Sequence, residues 1–161
     1  VIIKIDSRER KKLVFTHPWV EAVRVRKLDV GDYMCVYRNL ETCNISFDRK
    51  SKSDIFGTLN AGYPRFKREI ERAQASGILL WIIIEKPFTD ILKGHIVRRK
   101  NPHTKQYEQI KQSGTKVVRT LMTLYWQYGV MHTYCKSREE MAKYIENIFI
   151  WYGLKKLWKK N

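Results

Sequence analysis

The stretch SFDRKSKSD, Ser46 to Asp54, closes on two acids and three bases within seven residues, Asp48 to Asp54. A charge run of this kind is, taken alone, most often solvated surface. The residues leading into it argue otherwise. In ISFDRK, an extended chain puts Ile45, Phe47 and Arg49 on one face and Ser46, Asp48 and Lys50 on the other. A carboxylate and an ammonium therefore leave the end of an apolar strand on the same side.

Working outward, YMCVY (Tyr33 to Tyr37) and NISF (Asn44 to Phe47) read as two strands around a polar turn near Asn39. A turn centred on Leu40 sets Asp32 opposite Asp48, with Cβ atoms about 4.5–5.5 Å apart. Two carboxylates that close repel unless a cation lies between them. A third source of acid is VIIKID, a buried strand that ends in Asp6, with Glu9 on the loop beyond it. Hard oxygen ligands from several strand ends describe a Mg²⁺ or Mn²⁺ site, completed by water and substrate phosphate. A lysine two residues from a ligand, Lys50, can orient an attacking water or stabilise charge on phosphate.

The bulk composition agrees. The chain has 161 residues and 43% hydrophobic content, enough for one domain with a core and too apolar for disorder. A net charge of +16, from 32 Lys and Arg against 16 acids, points to a polyanionic partner, nucleic acid first. The longest apolar run, GILLWIII (Gly77 to Ile84), is far too short to span a bilayer, and no signal peptide precedes the first strand. Cys35, Cys43 and Cys135 lack CxxC spacing and fit free thiols in a reducing compartment, and the four histidines show no zinc spacing. The expected location is cytoplasmic or nucleoid-associated.

Along the chain, HPWVEA (His17 to Ala22) predicts a short helix and VRVRKL (Val23 to Leu28) a half-exposed strand. SDIFGTLNAG is a short helix. In PRFKREIERAQASG, Phe66, Ile70 and Ala73 share one helical face, while Arg65, Arg68 and Arg72 fall together elsewhere and Gly77 stops the helix. ILLWIIIE (Ile78 to Glu85) is β-branched and unalternating, so it is a central strand covered on both faces. Lys93 to Gly114 is polar and basic and is expected to form a mobile loop. A helix (TKVVRTLMTLYWQYG), a strand (VMHTY) and a last helix (SREEMAKYIENIFIWYG, with Ser137 and Glu140 as a capping box) complete the pattern. The fold class is α/β, with a mixed central sheet and helices on both sides.

The constellation resembles the nuclease domain of XPF-type structure-specific endonucleases. IDSRE, VGDY and FDRKSKSD match, in order and internal spacing, that family's Val-Asp-x-Arg-Glu, Gly-Asp and Glu-Arg-Lys-x-x-x-Asp, over roughly residues 1 to 150. The resemblance implies a restriction-endonuclease-like domain over 1–151, followed by a basic tail at 152–161. It implies Mg²⁺- or Mn²⁺-dependent cutting of branched DNA (flap, fork or Holliday-junction type) and a homodimer paired through the nuclease domain. By motif, Asp32, Asp48 and Glu9 look like metal ligands. Lys50 looks like the catalytic lysine, Asp6, Glu9 and Asp54 like supporting acids, and Arg49 like the arginine that organises the site from the opposite face. Arg8, Arg65, Arg68 and Arg72 are the candidate DNA contacts. Two features depart from the family. Asp48 stands where the family has glutamate, one methylene shorter, and a tandem helix-hairpin-helix module is not expected within this chain.

Several residues have two readings. Asp54 can cap the next helix or support catalysis. Glu85 can form a surface salt bridge or belong to the site. Trp126, Tyr125, Tyr128, Trp151 and Trp158 are core or interface residues, or base-stacking platforms. VRRKNPHTK is a DNA-tracking loop or a disordered insertion. For function, the competing classes are an active endonuclease, a catalytically inactive DNA-binding subunit that retains the fold, and a basic nucleic-acid-binding regulator.

Overall fold

The computed structural model describes residues 1–39 and 41–158, the last three of these as backbone only. Leu40, at the centre of the expected turn, and the side chain of Trp158 therefore lie outside the described residues.

Six strands form a mixed sheet. They are β1 (Ile2–Asp6), β2 (Ala22–Arg26), β3 (Tyr33–Val36), β4 (Ile45–Lys50), β5 (Leu79–Ile84) and β8 (Met131–Tyr134), in the order β2-β1-β3-β4-β5-β8. β3 runs antiparallel to its neighbours β1 and β4; β1–β2, β4–β5 and β5–β8 are parallel. The helices are α1 (Lys52–Thr58), α2 (Tyr63–Ala75), α3 (Phe88–Leu92), α4 (Gly114–Tyr128) and α5 (Arg138–Trp158). Strands β6 (His95–Lys100) and β7 (Tyr107–Gln112) form a separate antiparallel hairpin. The α/β architecture read from the pattern is the one observed. α5 runs unbroken through residue 152, where the basic tail was expected to begin. Among the described residues, no helix is long and apolar enough to cross a membrane.

The sheet separates two core layers. On one side Leu80, Ile82 and Ile84 of β5 meet Phe56 of α1, Phe66 and Ile70 of α2 and Leu121 of α4. On the other, Ile83 and Phe47 meet Met141, Ile145 and Phe149 of α5. This explains why β5 is apolar at every position: alternate side chains enter different cores. Ile82, Ile83 and Ile84 are each fully buried, worth about 1.5–3 kcal/mol apiece relative to exposure. On α2, Phe66, Ile70 and Ala73 are the buried residues, as their spacing predicts, and Gly77 stops the chain at φ +64°. The capping box on α5 is half formed. Ser137 accepts from the Glu140 amide at 3.1 Å, but the Glu140 carboxylate accepts from the Lys136 amide.

Two expectations are corrected. His17 to Ala22 is not a helix. The Val20 amide donates to the His17 carbonyl in a single turn, and Glu21 and Ala22 are then drawn into the sheet edge, Glu21 through the Val1 carbonyl and Ala22 opposite Ile2. Edge pairing satisfies backbone groups that a one-turn helix would leave open. Lys93 to Gly114 is not a loop but the β6–β7 hairpin. Its strands carry so few apolar residues that alternation is hard to read, yet cross-strand pairing satisfies the backbone.

The β3–β4 register has an unexpected origin. Near the turn, Val36 faces Thr42, and the Cys43 amide donates to the Cys35 carbonyl. Three residues further along β3, Tyr33 faces Phe47, five residues further along the other strand. Two extra residues are thus absorbed between Thr42 and Phe47, as in a bulge. The pairing of Tyr33 with Phe47 is the one that sets Asp32 beside Asp48.

Candidate active site

Strand alternation in β4 divides the charged residues between the two core layers. Phe47 and Arg49 face the α5 side, and Asp48 and Lys50 face α2. There the Lys50 ammonium reaches Asp48 Oδ1 at 2.6 Å and lies 5.8 Å from the centre of the Phe66 ring. Burial pulls this ammonium down, but the Asp48, Asp32 and Glu69 carboxylates outweigh it and hold the group above the ordinary lysine value. The 2.6 Å contact makes Lys50 the ion-pair partner of Asp48. Asp48 is 3% exposed, and its second oxygen, Oδ2, is buried with no hydrogen-bond partner. Leaving such an acceptor unmatched costs about 1–3 kcal/mol, more for a charge.

Asp32 enters from the turn before β3. Its Oδ2 accepts the Arg49 amide at 2.8 Å, so a side chain takes the place of a ladder carbonyl. Burial first, and the Asp48 charge second, push this carboxyl up to about 8. Gly31 makes the approach possible. It sits at φ +66°, and a Cβ there would lie 2.3 Å from Ser46 Oγ and 2.9 Å from the Phe47 carbonyl oxygen. The Gly31 amide donates to Glu69 Oε1 at 3.1 Å. Burial and Asp48 raise the Glu69 carboxyl too. Glu69 was missed in the sequence, though a signal existed: it stands on the apolar stripe of α2, between Phe66 and Ile70.

On the opposite face, Arg49 is a clamp. Its guanidinium bonds Glu9 through Nε (3.2 Å) and Nη2 (3.3 Å), and Glu85 through Nη1 (2.7 Å). Glu9 also accepts the Lys11 amide at 2.6 Å, so both of its oxygens are engaged. Glu85 is thus an ion-pair partner inside the constellation, which joins its two readings.

Asp6 is 1% exposed and saturated. Oδ1 accepts from the Arg8 amide (2.7 Å) and Nε (2.8 Å); Oδ2 accepts from Arg8 Nη2 (2.9 Å) and the Leu28 amide (2.7 Å). The Arg8 hydrogen bonds, partly opposed by burial, lower its carboxyl to about 2. Asp54 closes a full capping box on α1: Ser51 Oγ accepts the Asp54 amide (3.2 Å), and Asp54 Oδ2 accepts the Ser51 amide (3.3 Å).

A cleft of about 320 Å³ is lined by Asp6, Arg8, Glu9, Arg10, Asp32, Arg49, Asp54 and Arg65; Asp48, Lys50 and Glu69 do not line it, and Asp48 adjoins it through Asp32. Arg65 thus reaches the site, while Arg68 and Arg72 continue as exposed cations along the same helix, outside the lining. Of the aromatics, Tyr128 packs against the core, whereas Trp126 and Trp151 are 79% and 58% exposed. Cys35, Cys43 and Cys135 are all free and buried.

Among the described residues, no group of three His, Cys, Asp or Glu side chains is arranged to hold an ion. The donor set nevertheless suits Mg²⁺ or Mn²⁺. The Asp48 Oδ2 has no hydrogen-bond partner, burial and the Asp48 charge push the neighbouring Asp32 carboxyl up, and such ions commonly take one or two carboxylates plus water and phosphate.

The ERCC4 domain family model matches residues 5–148. The chain belongs to the ERCC4 domain family. This ERCC4 domain is also similar in fold to XPF from Aeropyrum pernix, at 21% identity and a TM-score of 0.59, with 91% of this chain and 62% of that one covered. A second structure, of XPF from Aeropyrum pernix in complex with DNA, matches at 22% identity and a TM-score of 0.58, with the same coverage. The ERCC4 domain therefore spans under two thirds of the length of these structures. No curated protein matches it.

Proposed function

We propose that this ERCC4 domain is a Mg²⁺- or Mn²⁺-dependent endonuclease that hydrolyses phosphodiester bonds in branched DNA. The observation that carries the proposal is the buried, unpartnered Asp48 Oδ2 beside Asp32, next to a cleft rimmed by Arg8, Arg10 and Arg65. A carboxylate pair under mutual repulsion makes poor structure and a good cation site.

In this reading Asp32 and Asp48 hold the ion, which when bound supplies Lewis acidity to the phosphate oxygens. Arg8, Arg10 and Arg65 receive the DNA backbone and orient the scissile phosphate. Water attacks phosphorus and gives up a proton to solvent, the bond to the leaving oxygen breaks, and that oxygen takes up a proton from solvent, giving a phosphate end and a hydroxyl end. Lys50, ion-paired with Asp48, stabilises the negative charge that develops on the phosphoryl oxygens. Glu9 acts through Arg49: together with Glu85 it fixes the guanidinium of the residue whose backbone amide holds Asp32. Asp6 positions Arg8. Asp54 acts mainly by fixing the first turn of α1.

The DNA-bound structure of similar fold supports DNA as the partner, and with a DNA partner the reading we favour is an intracellular protein, cytoplasmic or nucleoid-associated. The homodimer is proposed with it, through α5, on which Trp151 is exposed; light scattering tests that part.

The central test incubates the protein with labelled flap, fork, four-way junction and linear duplex DNA, with Mg²⁺, Mn²⁺ or excess EDTA. Metal-dependent cleavage of the branched forms is expected. Binding without cleavage under every condition identifies the inactive-subunit reading instead, and cleavage in excess EDTA removes the metal from the mechanism. Thermal shift supplies a readout apart from activity: Mg²⁺ or Mn²⁺ should raise the melting temperature of the wild type and leave that of Asp48→Asn unchanged.

A further inference from the structure

The β6–β7 hairpin takes no part in the site described above, yet it is built as a two-faced ribbon. Directly opposed residues of an antiparallel pair share a face. Ile96, Arg98 and Lys100 lie opposite Lys111, Gln109 and Tyr107, and all six are exposed. This face carries three cations, one aromatic ring and no acid. The other face is different in kind. His95 and Val97 are half-buried, and Arg99 lies opposite Glu108, whose carboxylate accepts from Asn101 Nδ2. None of Arg98, Lys100 or Lys111 is ion-paired among the described residues. The Arg98 guanidinium instead lies 4.7 Å from the centre of the Tyr107 ring on the same exposed face.

The root of the ribbon is clamped near the site. Gly94 lies at φ +78° before β6, and a Cβ there would come within 2.5 Å of the Gln112 carbonyl oxygen. A Cβ on Gly114, just past β7, would come within 2.1 Å of the Ile91 carbonyl oxygen. The His95 ring packs 5.5 Å from that of Phe56 on α1. Lys52, two residues beyond Lys50, donates to the Asp90 carbonyl of α3 at 2.8 Å. The hairpin therefore projects in a set direction from the end of the sheet that carries Asp48 and Lys50.

We propose that the β6–β7 hairpin is a second DNA-binding element, whose Arg98–Lys100–Lys111 face lies along a duplex arm beside the cleavage site. The inference rests on the DNA reading above. Same-face residues of a strand recur about every 6.8 Å, close to the through-space separation of successive phosphates on one DNA strand, so Arg98 and Lys100 can each meet one of two neighbouring phosphates. Six residues of ribbon cover about 20 Å, on the order of six base pairs. An antiparallel ribbon is also narrow enough for a major groove.

The test is binding of the intact protein to a branched DNA with long duplex arms, by fluorescence anisotropy across a salt series, without any need for cleavage. The triple variant Arg98→Gln, Lys100→Gln, Lys111→Gln should weaken binding at least about tenfold and reduce the log–log salt slope by about 2–3, near 0.9 for each phosphate no longer neutralised. Lys100→Gln alone should reduce the slope by about 1 and keeps the proposal testable if the triple variant folds poorly. Arg99→Gln, on the other face, should change affinity less than twofold. Wild-type affinity in the triple variant, or an Arg99→Gln loss equal to that of Lys100→Gln, overturns the ribbon while leaving the DNA reading standing. Failure of the wild type to bind DNA at all overturns both.

Discussion

Asp6 and Asp48 end two strands of one sheet, and both are almost wholly buried, at 1% and 3% exposure. Their surroundings are opposite. Asp6 accepts four hydrogen bonds, which saturates a carboxylate. Asp48 accepts one, from Lys50, and leaves Oδ2 with none. Two acids that sit in equivalent parts of one motif set thus have different physical roles. A carboxylate with every lone pair matched holds the chain together. A buried one with an oxygen left short, even beside an ammonium, keeps acceptor capacity for a further partner.

Asp48→Asn tests this contrast most severely. Cleavage should fall by more than about 10³-fold, because a ligand for the ion is lost. DNA affinity should hold or tighten, since a negative charge near phosphate disappears, while the melting temperature reports the balance between relieved repulsion with Asp32 and loss of the buried Lys50 ion pair. Gel-based cleavage and a melt on the same preparation check this; a variant that still cuts within tenfold of wild type returns Asp48 to an ordinary structural acid. Next is Lys50→Ala, which should lower the single-turnover rate by about 10²–10³-fold, as for loss of one transition-state donor. Lys52→Ala is its control, because that ammonium is spent on the Asp90 carbonyl. Equal rates for the two variants remove Lys50 from the mechanism.

Asp6→Asn probes the saturated site, and its effect is on stability. Since the folded carboxyl lies at about 2 against a usual 3.8, its contribution is fully present above the unfolded value and lost as pH falls through the folded one. With Arg8 largely in solvent, that contribution is on the order of 1–2 kcal/mol. Wild type should exceed Asp6→Asn by this amount at pH 7, and the two should converge between about pH 4 and pH 2 in urea melts. A gap that persists at pH 2 would mean that shape, not charge, is what Asp6 provides. Asp54→Ala should be the mildest change, about 1 kcal/mol by loss of the capping box, with a rate change of only a few-fold. A rate loss near that of Lys50→Ala would move Asp54 into the chemistry.

Much of this was legible from residue order because the relevant signals are local. Apolar runs mark β1 and β5, and β4's alternation alone separates Asp48 and Lys50 from Arg49. The Asp32–Asp48 pairing was also anticipated, but from a turn centred on Leu40, whereas the observed pairing depends on two residues absorbed between Thr42 and Phe47. What stayed hidden is set by tertiary contacts. Nothing near Glu9 says that Arg49, forty residues away, occupies both of its oxygens. Glu69 is one polar residue on an apolar stripe, with no local sign that it holds the Gly31 amide. The β6–β7 hairpin is too polar for alternation to announce it.

The absorbed residues between Thr42 and Phe47 have one more consequence. The register at Asp32 is set by the Tyr33–Phe47 pairing on the carboxylate side of that irregularity, not by the pairing of Val36 with Thr42. Length changes between Arg38 and Glu41 need not propagate past Phe47. That connection is where such a domain can drift in length over evolution, and where an epitope or fluorophore can be inserted, without a matching change at the carboxylates.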